Sequence, residues 1–174
     1  MEKETLHIRT AATADSRALA RLDASAWAPE VQVFPPNDAD APFFDNRRGP
    51  EDVIVAVDGD SIAGYAHLAR HIPIPKNDHV LHLNALVVAP GQRGRGISHQ
   101  LLDAAINEAR RRGARKLGLR ALSTNTVAVE LYCQHGFAVE GQLRQEFLQP
   151  DGSWADDVWM ALFLDQAMVC EPQA

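Results

Sequence analysis

Short runs of apolar residues, several of them alternating with polar ones, occur at eight places along the chain. Alternation puts successive side chains on opposite faces of a strand, so these runs predict β-strands with one face toward a core. The predicted strands span residues 6–9, 53–57, 62–68, 80–88, 116–122, 137–139, 146–148 and 157–164. Asp58-Gly59-Asp60 and Pro150-Asp151-Gly152 are typical turn sequences, and each predicts a hairpin between the strands that flank it.

Three other stretches carry apolar residues at intervals of three and four, the spacing of one helix face. The first helix is predicted to follow Thr13, its N-cap, and to bury Leu19, Leu22 and Ala26. The other two helices are predicted over residues 97–112 and 125–135. A glycine follows each of them, at positions 113 and 136, and predicts a left-handed C-terminal cap.

Residues 27–50 follow neither pattern. Prolines interrupt this segment, whereas Trp27, Phe34, Phe43 and Phe44 supply apolar side chains that can pack. The prolines are Pro29, Pro35, Pro36, Pro42 and Pro50. Because a long loop in a compact domain is usually functional, we expect it to shape a binding site.

The elements follow in the order β-α-loop-β-β-β-α-β-α, with the closing strands last. A strand, a helix and a strand in succession predict a right-handed crossover between parallel neighbours, whereas hairpins add antiparallel pairs. The chain is therefore predicted to form an α/β fold with a mixed sheet. A length of 174 residues suits a single domain over residues 1–174, with its core at about 6–164.

Composition and charge exclude several classes of function. The net charge of −6 disfavours nucleic acid as a partner, and no apolar run is long enough to cross a membrane. The first residues contain no apolar segment of a signal peptide. Cys133 and Cys170 show neither CxxC nor metal-ligand spacing, which indicates free thiols, no metal site and a cytoplasmic location. A homodimer is compatible with this composition.

The most informative segment, residues 81–102, leads from an apolar strand through a glycine- and arginine-rich loop into a helix. Gly94 and Gly96 allow a ligand to approach the backbone closely, and Arg93 and Arg95 add positive charge. Free amides and the helix dipole favour an anion at a helix N-terminus. The loop therefore predicts a pyrophosphate site, unless it is merely a turn that joins strand to helix.

Two familiar phosphate-binding motifs do not fit this loop. A dinucleotide fingerprint beginning at Gly94 would require glycine or alanine where the chain has His99. A Walker loop beginning at Gly91 would require lysine where it has Ile97. A nucleotide-binding α/β domain is therefore the weaker alternative.

A second motif, N-x-x-A-x-x-L-Y-x-x-x-G-F, runs from Asn125 to Phe137. With the loop motif R-x-x-G-x-S, from Arg93 to Ser98, it resembles the GNAT superfamily of N-acetyltransferases. Ser98 departs from the glycine or alanine of that family, but it is small and keeps its backbone amide. The resemblance covers most of the chain, residues 6–164. The tail, residues 140–162, is similar to the RimJ and RimL branch and to some small-amine acetyltransferases.

The resemblance implies a GNAT-like acyl-CoA N-acyltransferase fold with a splayed, mostly antiparallel central sheet flanked by helices. It implies acetyl-CoA as co-substrate and an amine as acceptor. The backbone of three strand residues would pair with the pantetheine arm, the loop would hold the pyrophosphate, and Asn125 would contact the cofactor near its pantetheine end. The strand residues are Leu86, Val87 and Val88, and the loop residues are Arg93, Gly94, Arg95, Gly96, Ile97, Ser98 and His99.

Proton transfer has two candidate residues. By the resemblance, Tyr132 would stand beside the thioester sulfur, where a phenol can protonate a departing thiolate. Many relatives carry a glutamate where this chain has Asn84, and others carry one five residues before Asn125, where it has Arg120. His82 lies on the same strand face as Asn84 and is the candidate base, with an inflection of the pH–rate profile at about 6–7. A structural histidine and a core tyrosine are the alternatives, and Cys133 is not expected to act as a nucleophile.

The predicted function is transfer of an acetyl group from acetyl-CoA to a primary amine of a small molecule, peptide or protein. The acceptor itself is not predicted. A non-catalytic, CoA-binding regulatory domain of the same fold is the alternative, and absence of turnover on any amine would distinguish it.

Overall fold

A seven-stranded mixed sheet in the order β1-β2-β3-β4-β5-β7-β6 forms the centre of the protein in the computed structural model, which describes residues 6–28, 31, 33 and 38–165. All neighbouring strands are antiparallel except β4 and β5, which are parallel. The strands are β1 (His7–Thr10), β2 (Val53–Asp58), β3 (Ser61–Ala69), β4 (Val80–Val88), β5 (Lys116–Leu122), β6 (Ala138–Leu148) and β7 (Trp154–Phe163). This mostly antiparallel α/β sheet confirms the predicted fold class.

Among the described residues, three α-helices cover the two faces of the sheet: α1 (Ser16–Ala26), α2 (Ile97–Arg111) and α3 (Thr126–Gln134). Leu101 and Leu102 of α2 pack in one apolar cluster with Leu117 and Leu119 of β5, and Tyr132 of α3 joins that cluster. A second cluster on the other face contains apolar residues of α1 and the side chains Val53, Val55 and Tyr65. We call these the α2 face and the α1 face.

Strands β4 and β5 pair only along their first halves. Their register runs from Val80 opposite Lys116 to Leu83 opposite Leu119, after which the two strands separate. Residues 84–88 of β4 keep β3 as a neighbour but have no strand on their other side. The register between β3 and β4 also shifts here, so that Asn84 is an extra residue on β4. The central opening of the sheet is the splay that the resemblance implied.

Two predictions about local structure are wrong. Thr13 does not cap α1, because residues Thr13–Asp15 form a short 3-10 turn and α1 begins at Ser16. Instead, the Asp15 carboxylate accepts a hydrogen bond from the backbone amide of Ala12 (2.7 Å), just before the 3-10 turn. The strands predicted at 137–139 and 146–148 are parts of one strand, β6, whose pairing with β7 shifts register between Leu143 and Phe147.

The described parts of segment 27–50 are irregular, as predicted, but they are tied to the α1 face. The Phe43 amide donates to Ser16 Oγ (3.0 Å), and Arg48 Nε donates to the Phe43 carbonyl (2.7 Å). The Phe43 ring lies edge-on to Tyr65, at 5.2 Å between centroids. Pro29, Phe34, Pro35, Pro36 and Cys170 lie outside the described residues. None of the described helices is long and apolar enough to cross a membrane.

Candidate functional site

The loop between β4 and α2 has the geometry of an anion cradle. Gly94 and Gly96 have φ of 78° and 74°, left-handed values that favour glycine, and Gly96 is the N-cap of α2. A Cβ built at either glycine meets nothing within 4 Å, so the space above them is open. The first amides of α2, from Ile97 to His99, lack an acceptor one turn earlier in the helix. The loop can therefore present several N–H donors to an anion.

The two arginines of this loop are engaged with the protein itself. Arg93 Nη2 donates to the Ala26 carbonyl at the end of α1 (2.7 Å), and its Nε lies 3.4 Å from the Val88 carbonyl. Arg95 forms an ion pair with Asp58 (2.5 Å) and also donates to Gln92. Both side chains therefore tie the loop to neighbouring parts of the protein.

The free side of β4 fits an extended chain that carries amide groups. Residues 84–88 lack a strand neighbour on the β5 side, so backbone N–H and C=O groups there can pair with a ligand as an added strand would. Leu86 and Val88 contact the α2-face cluster, and Val87 contacts the α1-face cluster, so the side chains leave this backbone edge open. The pantetheine arm of CoA has this chemistry, and its pyrophosphate suits the cradle at the end of the same strand.

Helix α3 positions the two remaining residues of the second motif. Asn125 is its N-cap, and the side-chain oxygen accepts the Ala128 amide at 3.3 Å. Tyr132 is 8% exposed, and burial raises the pKa of its hydroxyl to about 12. No described residue forms a hydrogen bond with that hydroxyl, which remains free for a ligand. His99 and His135 approach each other near this helix, with 5.1 Å between ring centroids. Cys133 is an exposed, free thiol.

His82, the candidate base named from the sequence, lies on the α1 face of the sheet, because its neighbours Leu81 and Leu83 pack in the α2-face cluster. Its imidazole covers Gly118 of β5, stacks on His71 at 4.6 Å and is edge-on to Trp159 at 6.1 Å. Burial, with smaller contributions from His71, Lys116 and Arg120, lowers the pKa of His82 to about 4. This is below the range of 6–7 in which an inflection of the pH–rate profile was expected. Asn84, the extra residue of β4 at the register shift, is exposed.

An ion pair between an exposed arginine and a buried carboxylate on the same face was missed by the sequence analysis. Arg120 of β5 binds the Asp157 carboxylate of β7, and Trp159 Nε1 donates to the same carboxylate (2.9 Å). The sequence marked Arg120 only as the replacement of a glutamate. Asp157 could have indicated this pair, because a charged residue in a predicted buried strand generally needs a partner of opposite charge.

A second buried carboxylate, Asp23 of α1, also escaped the sequence analysis. Tyr65 donates its hydroxyl to Asp23, and Trp27 Nε1 donates to the same oxygen at 2.9 Å. His67 is buried on this face, its Nε2 has no hydrogen-bond partner among the described residues, and burial lowers its pKa to about 4. These groups fix the beginning of segment 27–50 against β3.

The chain is similar in sequence to known acetyltransferases. A model of the acetyltransferase (GNAT) family matches residues 19–137. The chain is 34% identical to streptothricin acetyltransferase of Streptomyces lavendulae over 134 residues, which is 74% of this chain and 67% of that protein. It is 32% identical to L-methionine sulfoximine/L-methionine sulfone acetyltransferase of Pseudomonas aeruginosa over 125 residues, 71% of this chain and 72% of that one.

The fold is also similar to solved structures. A protein of Salmonella typhimurium, described as an acetyltransferase and solved with its cofactor acetyl-CoA, superposes with a TM-score of 0.72 at 24% identity. The match covers 98% of this chain and 99% of that chain.

Proposed function

Because the chain belongs to the acetyltransferase (GNAT) family, we propose that it transfers an acetyl group from acetyl-CoA to a primary amine by direct attack of that amine. As a member of this family it is an acyltransferase, and acetyl-CoA is its co-substrate. One observation carries the proposal. A single strand, β4, has an unpaired backbone edge over residues 84–88 and leads directly into the Gly94–Gly96 cradle.

In this proposal the protein positions acetyl-CoA and supplies a proton to the leaving group. Acetyl-CoA supplies an acetyl thioester, whose carbonyl carbon is the electrophile. The amides of residues 94–99 bind the pyrophosphate, and the β4 backbone holds the arm between the strands. Tyr132 keeps its proton at neutral pH, because burial raises its pKa to about 12. Its hydroxyl can give that proton to the sulfur leaving group, and the proton that the nitrogen loses as the amide forms returns through solvent to restore the phenol.

Removal of a proton from the amine is assigned to solvent rather than to a side chain. His82, with a pKa of about 4, is too weak a base to hold a proton at neutral pH, and Asn84 cannot accept one. A lysine-like amine, with a pKa about 3.4 units above neutrality, would need roughly 4–5 kcal/mol to lose its proton. The α-amine of a peptide, with a pKa near 7.7–8.0, needs only about 1 kcal/mol, whereas the amine of a free amino acid needs more because its own carboxylate raises the pKa. We therefore propose α-amines as the preferred acceptors.

We further propose that the acceptor is a small molecule. The relative from P. aeruginosa is named for L-methionine sulfoximine and L-methionine sulfone, and both of these compounds are α-amino acids. The relative from S. lavendulae is named for streptothricin. We also propose that residues 1–174 act as one domain in the cytoplasm, without a nucleic-acid or membrane partner, in line with the acidic net charge of −6.

An acetylation screen tests the proposed function. Purified protein and acetyl-CoA are incubated with amino acids, peptides, polyamines, aminoglycosides and arylamines, and the products are identified by mass spectrometry. Acetylation of an α-amine well above a heat-denatured control is expected. Tight binding of acetyl-CoA without turnover on any member of the panel would instead identify a non-catalytic CoA-binding domain.

A further inference from the structure

Arg120 lies where the central opening of the sheet begins. Leu119 is the last β5 residue that pairs with β4, so Arg120 is the first residue of β5 beyond that pairing. Leu119 and Ala121 pack in the α2-face cluster, and the Arg120 side chain therefore points to the α1 face, the face of His82. The side chain is 42% exposed, although its partner Asp157 is only 3% exposed.

Asp157 and Trp159 fix one edge and one face of the guanidinium. Arg120 Nε lies 2.9 Å and 3.2 Å from the two Asp157 carboxylate oxygens, and Nη2 donates to the nearer one. The guanidinium carbon is 4.6 Å from the centroid of the Trp159 ring. Trp159 in turn donates its indole N–H to Asp157. A guanidinium held in this way has one orientation, so its remaining donors are aimed before a ligand arrives.

The other edge of the guanidinium is unused. In the described part of the chain, no acceptor contacts Nη1 of Arg120, although a guanidinium carries five N–H donors in a rigid fork. The nearby Lys116 is paired with Glu140 at 2.6 Å, and His82 is uncharged at neutral pH. Asp157 already receives donors from both Arg120 and Trp159. Arg120 is therefore the cationic donor that these contacts leave available at the opening.

We propose that Arg120 binds the carboxylate of an α-amino acid acceptor, with Asp157 as the residue that positions it; this inference rests on the proposed function. Guanidinium and carboxylate match as paired donors and acceptors. In an α-amino acid the amine is two bonds from the carboxylate carbon, so anchoring the carboxylate beside the opening brings the amine into it. An acceptor without a carboxylate would lose this anchor.

The same contact assists loss of the proton from the amine. A neighbouring carboxylate favours the charged form of an amine and raises its pKa. Arg120 neutralises that carboxylate, so the pKa of the bound amine falls and more of it is uncharged. This effect is consistent with a site in which no side chain acts as a base at neutral pH.

The first test compares matched acceptors with the unmodified protein. A panel of L-amino acids and their carboxamides is assayed, and kcat/KM is expressed per concentration of neutral amine to remove the difference in amine pKa. A preference for the acid of at least about tenfold is expected for charge-assisted hydrogen bonds. Equal efficiency, or a preference for the carboxamide, would overturn the inference while leaving the proposed acetyl transfer intact. No acetylation of any amine would instead contradict the proposed function.

The second test changes the anchor. Arg120→Gln should reduce the acid-to-carboxamide preference at least tenfold, and Arg120→Lys should restore part of it. Because Arg120→Gln leaves a buried carboxylate unpaired, the double variant Arg120→Gln/Asp157→Asn removes both charges and should give the same loss. Arg110→Gln, which changes an exposed arginine of α2, is the matched control and should retain the wild-type preference. A folded double variant that keeps the preference would overturn the inference.

Binding without turnover supplies an independent measurement. Calorimetric titration of L-methionine and L-methioninamide, in the presence of CoA, should give a lower Kd for the acid in the wild type. That difference should disappear in the double variant. Equal Kd values for the two ligands in the wild type would count against Arg120 as the anchor, even if acetylation is observed.

Discussion

The imidazole of His82 occupies the space above Gly118, the residue directly opposite it on β5. A Cβ built at Gly118 would lie 2.7 Å from His82 Nε2 and 2.9 Å from Cε1, closer than side-chain atoms approach each other. His71 and Trp159 enclose the same ring from other sides. The absence of a side chain at position 118 therefore lets a histidine be buried on the face where acceptors are proposed to bind.

Replacing Gly118 tests this packing. Gly118→Ala should lower the free energy of unfolding by about 1–3 kcal/mol, because the methyl group displaces an enclosed ring. Urea unfolding measures the change. Gly141→Ala on β6 is the control, since a Cβ there meets nothing within 4 Å, and its stability should stay within about 1 kcal/mol of the wild type. Equal stability of the two variants would contradict the close contact between His82 and Gly118.

Gly96→Glu should abolish binding of acetyl-CoA. The new carboxylate would lie at the N-terminus of α2, where it repels the pyrophosphate and fills the open space above the loop. Calorimetry with purified protein measures the Kd. Gly152→Glu is a matched control, because Gly152 has a similar φ of 84° but lies in the turn between β6 and β7. Unchanged affinity of Gly96→Glu would remove the loop from the cofactor site.

Tyr132→Phe should lower kcat at least about tenfold and leave the Kd for acetyl-CoA within a few-fold of the wild-type value. The phenol loses only a hydroxyl that has no partner among the described residues, so packing should persist. Tyr65→Phe provides the contrast: it removes the hydrogen bond to Asp23 and should instead lower stability by about 1–3 kcal/mol. If single-turnover rates of Tyr132→Phe equal those of the wild type, the residue is part of the core only.

The pH dependence of kcat/KM should follow the pKa of the acceptor amine. His82 has a pKa of about 4, so it is uncharged on both sides of pH 6–7 and its protonation cannot produce an inflection there. Profiles of the wild type and of His82→Ala, measured from pH 5.5 to 9 with one acceptor, should have the same shape. An inflection near pH 6–7 that disappears in the variant would restore His82 as the base.

Local patterns predicted most of the elements, because each depends on neighbours within a few residues. Strands β4 and β5, helix α2 and the caps at Gly113 and Gly136 follow from apolar spacing and from glycine at left-handed positions. The geometry of the loop before α2 could be predicted for the same reason, since its residues belong to one loop and one helix end; its role as an anion site stays a prediction.

Features that join distant segments could not be predicted in this way. The pair of Arg120 and Asp157 spans 37 positions and requires β7 to lie beside β5, an order that no local pattern contains. The hydrogen bond from Arg93 to the Ala26 carbonyl likewise joins residues that are 67 positions apart. The low pKa of His82 depends on burial, and the ring is enclosed by His71, Gly118 and Trp159, which lie in three separate segments. The sequence could identify a histidine on a strand, but it could not show that these neighbours lower the pKa.

Strand β6 is the outer edge of the sheet, and its eleven residues include exposed apolar side chains such as Val139 and Leu143. Such an edge can template pairing with other chains and lead to aggregation. The irregularity after Leu143 interrupts it: Gln145 has a φ of 56°, and its amide donates to the Asp156 carboxylate at 2.7 Å. Together with the register shift between Val139 and Gly141, this irregularity divides the pairing of β6 with β7 into three short ladders. Bulged edges of this kind are poor templates for a foreign strand, because the strand would have to follow each shift in register.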